Sequence, residues 1–362
     1  MKLILSVVLI CGCHILCAGQ LFMSQKMQIQ LTDSVQCAAV KDQGQSPTCW
    51  VFGTNSLFES DLIGKHNLEV DLSEMFIARY AYIDKATMFL ATGGKTYFEG
   101  GGQFHDVIRV VKKYGMVPED VYSGKVEGMA AHNHAQLDKA MKNLAYGLLG
   151  KGRKELNTKD LKIINDTLDY YLGKVPQVFF YKGRLYSPET FAKEMIPFAD
   201  DYVELMSFSN LPMYKKCLLV DKYNWAGDSL YNVPLDEMYQ LVDTAIAKGW
   251  SLGWEGDVTN SGLGFLSSYA KGDEALHDYD IERIKNYATE VTERDHMLHI
   301  TGIGIDEKKN KWFYLKNSWG NWYGQLKGYM YMDQEYFKMN TVIMMVNKNG
   351  LTEILKERLE IK

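Results

Sequence analysis

Apolar residues recur at helical spacing through much of the chain and at strand spacing toward its end. Leu57, Phe58 and Leu62 share one face of a run from Pro47 to about Ile63, which predicts a helix. Ser46 is expected to cap it, with Pro47 at the first helical position and Cys49 at the third. Asp71-Leu72-Ser73-Glu74 opens a second helix, Met75 to about Lys85. Phe104 to Tyr114 predicts a third, ended by Gly115 with Pro118 beyond it. Leu137, Met141, Leu144 and Leu148 form one further helical stripe, and Leu161, Ile164 and Leu168 another. The run VFFYKGRLY predicts a hairpin turning at Lys182-Gly183, with a helix starting at Pro188 behind Ser187. A last strong helix carries Leu235, Met238, Leu241 and Ala245. The pattern then turns strand-like in HMLHITGIGID, KWFYLKNSW, KGYMYM and TVIMMVN. Helices first and strands last predict an α+β protein with a helical half and a sheet or barrel half.

Composition changes this picture mainly at the start of the chain. Hydrophobic residues make up 46% of the 362, ample for a core. A net charge of −5 with no basic patch argues against a nucleic-acid partner. Lys2, the apolar run Leu3 to Ile10 and the small residues Cys17, Ala18 and Gly19 have the order of an export signal over residues 1–19, cleaved before Gln20. A second reading takes Ile10-Cys11-Gly12-Cys13 as a lipobox, with a lipid anchor on Cys13. Either way the product is exported: periplasmic, cell-surface or secreted. The remaining chain keeps Cys37, Cys49 and Cys217, an odd number, so it is not a disulfide scaffold. Cys37 and Cys217 are either bridged or simply buried.

Cys49 carries the candidate chemistry. Near a helix start, backbone N–H groups lack intrahelical partners and the helix dipole favours negative charge, so the thiol is expected to be acidified. Its own N–H and the side-chain amide of Gln43 are two donors for a developing oxyanion. Far downstream, ERDHMLHITGIGID and FYLKNSWGNWYG supply His296 and Asn317 in that order. An imidazole can take the thiol proton, and an Asn amide can fix its tautomer.

Gln43 with Cys49-Trp50, then Asp295-His296, then Asn317-Ser318-Trp319-Gly320, resembles the papain-like cysteine peptidases. LSEM at Leu72–Met75, the stretch EGGGQFHDVIRVVKKYGMVPED from Glu99 to Asp120, and the Gly324–Tyr329 segment support the likeness. The resemblance implies a two-lobed fold with Cys49 as nucleophile, His296 as base and acid, Asn317 as its orienter and Gln43 in the oxyanion hole. It further implies that Gly101 and Gly102 line the substrate cleft beside Trp50, and that Trp319 shields the His–Asn hydrogen bond. Cys49 and His296 lie about 250 positions apart, against about 130–150 in ordinary members, so a large, mostly helical insertion is expected. With Ser46-Pro47-Thr48 ahead of Cys49, the family's usual structural disulfide has no cysteine to form it. These departures, with YNVPLDEMYQLVDTAIAKGWSLGWEGDV at Tyr231–Val258, resemble the bleomycin hydrolase and aminopeptidase C branch. That branch implies peptide substrates, aminopeptidase action enforced by a C-terminal tail in the cleft, and a homo-oligomer, commonly a hexamer. The tail here, KNGLTEILKERLEIK, is charged and helix-like, and does not match the family's tail.

The expected organisation is therefore an export signal over 1–19, a helical lobe with the nucleophile over 20–124, an insertion with connecting segments over 125–285, and a β-rich lobe with His296, Asn317 and the tail over 286–362. Alternatives are an endopeptidase with an open cleft, or an inactive peptidase-fold binding protein. The chemistry requires no metal and no organic cofactor. GGKT at Gly93–Thr96 lacks the earlier glycine of a phosphate-binding loop. His132 and His134 are expected to be solvated or beside an N-cap. His299, an odd number of positions from His296 on a strand, is expected on the opposite face in a structural role.

Overall fold

The structure is a computed structural model that describes residues 27–259, 262–264, 268–275, 278–292 and 295–362. The expected export signal and the Cys13 lipid site lie outside the described residues. Among the described residues no helix is long and apolar enough to cross a membrane.

The described residues begin with β1 (Ile29–Ser34), followed by α1 (Cys49–His66), α2 (Glu74–Ala91) and α3 (Phe104–Tyr114). Then come α4 (Ala135–Gly150), α5 (Thr158–Leu172), the hairpin β2 (Phe179–Tyr181) and β3 (Arg184–Tyr186), and α6 (Pro188–Met195). Strands β4 (Tyr202–Met206), β5 (Lys215–Leu218) and β6 (Ser229–Asn232) precede α7 (Leu235–Ala247) and β7 (Leu252–Gly256). After β8 (Leu263–Gly264), β9 (Tyr269–Ala270) and α8 (Tyr279–Ala288) the chain enters β10 (His296–Asp306), β11 (Lys311–Lys316) and β12 (Tyr329–Asp333). It closes with α9 (Gln334–Asn340), β13 (Thr341–Asn347) and α10 (Glu353–Leu359).

Local chemistry accounts for most of these boundaries. Ser73 caps α2 by accepting from Phe76 N, and Ser187 caps α6 with Pro188 inside the first turn. Gly115 ends α3 at φ 88°, where a β-carbon would run into the backbone of Pro188. The start of α1 departs from expectation. Ser46 is not its cap: its hydroxyl bonds Gln43 O at 2.7 Å and Thr48 Oγ1 at 2.6 Å, so it is spent on the preceding loop. The helix opens two residues later, with Thr48 at the cap position and Cys49 as its first residue.

One sheet organises the molecule. Its strands run β5-β6-β4-β13-β7-β10-β11-β12-β9-β8, and β1 joins alongside β10. β7 pairs the first half of β10 and β1 the second half, so β1 closes against the strand that begins with His296. Residues 125–285 divide in space: α4 and α5 pack on α2, whereas β4 to β7 extend the sheet. The sheet is covered on both faces. Met297, Met206 and Met345 belong to the core shared with α1, α2 and α3. Their strand neighbours Leu298, Leu205 and Met344 belong to a second core with α7, α9 and α10. Period-two alternation along each strand feeds both cores.

Candidate active site

Cys49 heads α1, and α1 lies directly on β10: a β-carbon on Gly53 would sit 3.4 Å from Met297 Cβ. His296 is the first residue of β10, one position before Met297. Its Nε2 donates to Asn317 Oδ1 at 2.8 Å, and that oxygen also accepts from Ser318 N at 2.7 Å. Asn317 follows directly on β11, its own N–H bonding Gly328 O at 2.9 Å. With Nε2 carrying the hydrogen, Nδ1 keeps its lone pair and can accept a proton. The Trp319 ring stacks on the imidazole at 4.5 Å and 26°, and its far side meets Tyr323 edge-on. The indole therefore walls off the His296–Asn317 hydrogen bond.

Gln43 is clamped across the two lobes. Its Oε1 accepts from Ser318 Oγ at 2.6 Å, its Nε2 donates to Ser46 O at 2.8 Å, and its backbone N–H donates to Ser318 O at 2.8 Å. One amide hydrogen on Nε2 remains after that bond. The loop is pinned from behind by His132 and His134, through Gln45 N to His132 O and His134 N to Gln45 O. These two histidines are buried rather than solvated, and burial holds each imidazole down at about 4. His134 does stand at the N-cap of α4. Their role as a buttress for the Gln43 loop left no mark in the sequence, because the contacts run through backbone atoms.

The glycine loop forms the wall beside Cys49. Trp50 is buried beneath it: its Nε1 donates to Gly100 O at 2.9 Å, and a β-carbon on Gly102 would fall 2.9 Å from the indole. Trp50 thus props the loop and does not itself face the cleft. Lys85, unremarked in the sequence, is fully buried in α2 and donates to the carbonyls of Glu99 and Gly101. Gly101 remains half-exposed at the edge of the cleft.

The electrostatics reverse one expectation. Burial pushes the Cys49 thiol up to about 12, and Glu255 and Asp295 add to the rise. The N–H groups of Met297 and Trp50 hydrogen-bond the sulfur and lower it, but by less. Desolvation therefore outweighs the helix start in the resting site. Burial likewise holds His296 down to about 4, with Asn317 offsetting part of the fall. Both partners rest neutral. Moving the proton from sulfur to Nδ1 creates an ion pair, whose mutual attraction recovers part of what charging either group alone would cost.

His299 sits on the opposite side of β10, as expected. Its Nδ1 bonds Ser56 Oγ at 2.8 Å, and the same hydroxyl accepts from Lys316 Nζ at 2.9 Å. Cys37, Cys49 and Cys217 are all free thiols, and Cys37 Sγ lies 3.2 Å from Tyr329 OH. No group of three or more His, Cys, Asp or Glu residues among the described residues could hold a metal ion.

A nucleophile-bearing helix on a sheet strand that opens with histidine, an asparagine on the next strand and a glutamine reaching across form the geometry of a thiol peptidase. The profile of the Peptidase C1-like family matches residues 17–362. The chain belongs to that family. Aminopeptidase G of Lactobacillus delbrueckii subsp. lactis is 26% identical over 367 residues, covering 88% of this chain and 83% of its own length. Bleomycin hydrolase of Mus musculus is 23% identical, covering 87% of this chain and 81% of its own. The crystal structure of PepW from Lactobacillus rhamnosis superposes with a TM-score of 0.74 at 18% identity, over 92% of this chain and 85% of that one, which shows the shared papain-like fold. This Peptidase C1-like chain thus carries its two lobes on the frame that the sequence motifs implied.

Proposed function

We propose that this Peptidase C1-like chain is a cysteine aminopeptidase that removes residues from the free amino end of peptides. The observation that carries the reading is the Gln43–Ser318–Asn317–His296 hydrogen-bond chain, which ends one residue before Met297, whose N–H bonds the Cys49 sulfur. His296 Nδ1 takes the thiol proton as sulfur attacks the scissile carbonyl. The oxyanion receives hydrogen bonds from the Cys49 N–H, which has no intrahelical partner at the first helical position, and from Gln43 Nε2. His296 then returns the proton to the leaving amine, and water attacks the thioester to release the acyl group. The names of the relatives, aminopeptidases C, G and W and bleomycin hydrolase, support exopeptidase action.

Comparing free-amine with N-acetylated aminoacyl-aminomethylcoumarins, on wild type and Cys49→Ala, tests the reading. Cleavage of the free-amine substrate alone, lost in Cys49→Ala, is the expected result. Equal cleavage of both would show an endopeptidase-like cleft instead. Residues 1–19 are carried in the same proposal as an export signal, checked by N-terminal sequencing of exported protein, which should begin at Gln20.

A further inference from the structure

The C-terminal tail that the family resemblance placed in the cleft lies elsewhere. α10 packs Leu355 and Leu359 into the core that contains Leu298, Trp254 and Met344, across the sheet from Met297 and α1. The loops around His296 and Asn317 are left to recognise the substrate.

The reaction fixes which part of the substrate passes them. His296 gives its proton to the leaving amine, so the first residue after the scissile bond lies against the imidazole and the chain behind it runs outward. Aromatic rings continue from the imidazole toward solvent. Trp319 stacks on His296 with centroids 4.5 Å apart, Tyr323 meets Trp319 edge-on at 4.9 Å, and Trp322 meets Tyr323 edge-on at 5.8 Å. Exposure rises along the series: His296 is buried, Trp319 and Tyr323 are partly covered, and Trp322 is 73% exposed. At ~3.3 Å per residue, an extended chain leaving His296 draws level with Trp322 within about its first four residues.

The exposed indole is held in place. Its Nε1 donates to Asp42 Oδ2 at 3.0 Å, and the other oxygen of that carboxylate accepts from Gly44 N at 2.8 Å. Gly320 makes the room: at φ 81° a β-carbon there would fall 2.4 Å from Trp322 Nε1 and 3.0 Å from Asp42 Oδ2. The turn carrying Trp322 is tied at both ends, through Tyr323 N to Gly320 O at 3.3 Å and Gly320 N to Lys41 O at 3.0 Å. The polar edge of the indole is thus satisfied by the protein while much of the ring stays in water. A fixed, wet aromatic face beside the departing chain suits an apolar or aromatic side chain, because little freedom is lost on the protein side when the two stack. A purely bracing role, through Asp42 to the adjacent Gln43, predicts instead an equal loss on every substrate.

We infer that Trp322 is a specificity platform for the leaving peptide: its indole takes an apolar or aromatic side chain from the second, third or fourth residue after the scissile bond. The inference rests on the thiol chemistry of the site, and the aminopeptidase reading enters only by fixing which bond is cut.

The test measures kcat and KM for cleavage after the first residue of pentaalanine and of three variants with Phe as the second, third or fourth residue beyond that bond. Alanyl-aminomethylcoumarin, whose leaving group fills only the first of these positions, is measured alongside. Wild type should favour at least one Phe peptide over pentaalanine by about 3–10-fold in kcat/KM, chiefly through KM. In Trp322→Ala that ratio should fall to within about twofold of one, and Trp322→Phe should keep most of it. The loss on the coumarin substrate should stay several-fold smaller than the loss on the favoured peptide. No preference for any Phe peptide in wild type, a preference that survives Trp322→Ala, or an equal loss on peptide and coumarin would each overturn the inference, the last in favour of the bracing role. If mass spectrometry shows that wild type cuts internal bonds and spares the first, the aminopeptidase reading fails, and the platform is judged by the same ratio at the bond that is cut.

Discussion

The two faces of the central sheet are built from the same strands and are chemically unlike. Toward α7 and α10 the strands send Leu298, Ile300, Trp254, Met344 and Val346, an almost wholly apolar set. Toward α1 they send Met297 together with Glu255, His299 and Lys316, all buried. Adjacent residues of one strand thus serve opposite purposes. The apolar face holds the lobe together by area burial. The polar face accepts the cost of desolvated charge where α1, with Cys49 at its head, crosses the sheet beside the junction of the lobes. Strand alternation makes this division possible within a few residues.

The largest expected effects fall on that junction. Cys49→Ala and His296→Ala should each lower kcat about a million-fold, as removal of one member of a catalytic unit does, while leaving thermal unfolding within a few degrees of wild type. Single-turnover assays with the free-amine coumarin substrate would measure the loss. Gln43→Ala and Asn317→Ala come next, with expected losses of about 10²–10⁴-fold in kcat. Gln43→Ala should act on kcat more than on KM, because its donor meets charge that develops only in the transition state. A loss confined to KM would place Gln43 outside the oxyanion site.

How legible this division was in the sequence varied along the chain. α3 and β10 have the predicted ends, Phe104–Tyr114 and His296–Asp306, because a glycine stop and clean alternation are local signals. The His296–Asn317 pair, and Gln43 reaching Ser318 beside it, follow the order of the motifs. The start of α1 was misplaced by two residues because Ser46 found a partner in its own loop, a contact that propensity does not encode. The acidity of Cys49 was misjudged for a related reason: a helix start is visible in sequence, whereas burial and the approach of Glu255 and Asp295 are products of the fold. Lys85 was illegible as a support of the glycine loop, since it reaches the carbonyls of Glu99 and Gly101 through tertiary packing.

The apolar face should break differently. Leu359→Ala, in α10, should destabilise the protein by about 2–4 kcal/mol through lost burial and the cavity left behind. Urea unfolding measures this. Activity per folded molecule and the free-amine preference should stay unchanged, since α10 lies across the sheet from Cys49. A change in preference with unaltered stability would mean that the two faces are coupled in a way the packing does not provide.

The smallest expected effect distinguishes the faces by pH. His105, at the start of α3, bonds Glu204 Oε2 at 2.7 Å, and Glu204 projects from β4 on the same face as Met206. Burial alone would lower the imidazole, but the Glu204 carboxylate, with Asp106 and Asp228, raises it to about 9. The folded value thus lies above the unfolded one of about 6.5. A group raised on folding stabilises fully below its unfolded pKa and loses that contribution as pH rises through the folded value. The His105–Glu204 pin should therefore contribute on the order of 2 kcal/mol at about pH 6 and almost nothing at about pH 10. Urea unfolding of wild type and His105→Gln at both pH values gives the difference directly: the gap between them should close as pH rises. The Leu359→Ala deficit, measured alongside, should be the same at both, because no proton is exchanged when an aliphatic side chain is removed from the other face.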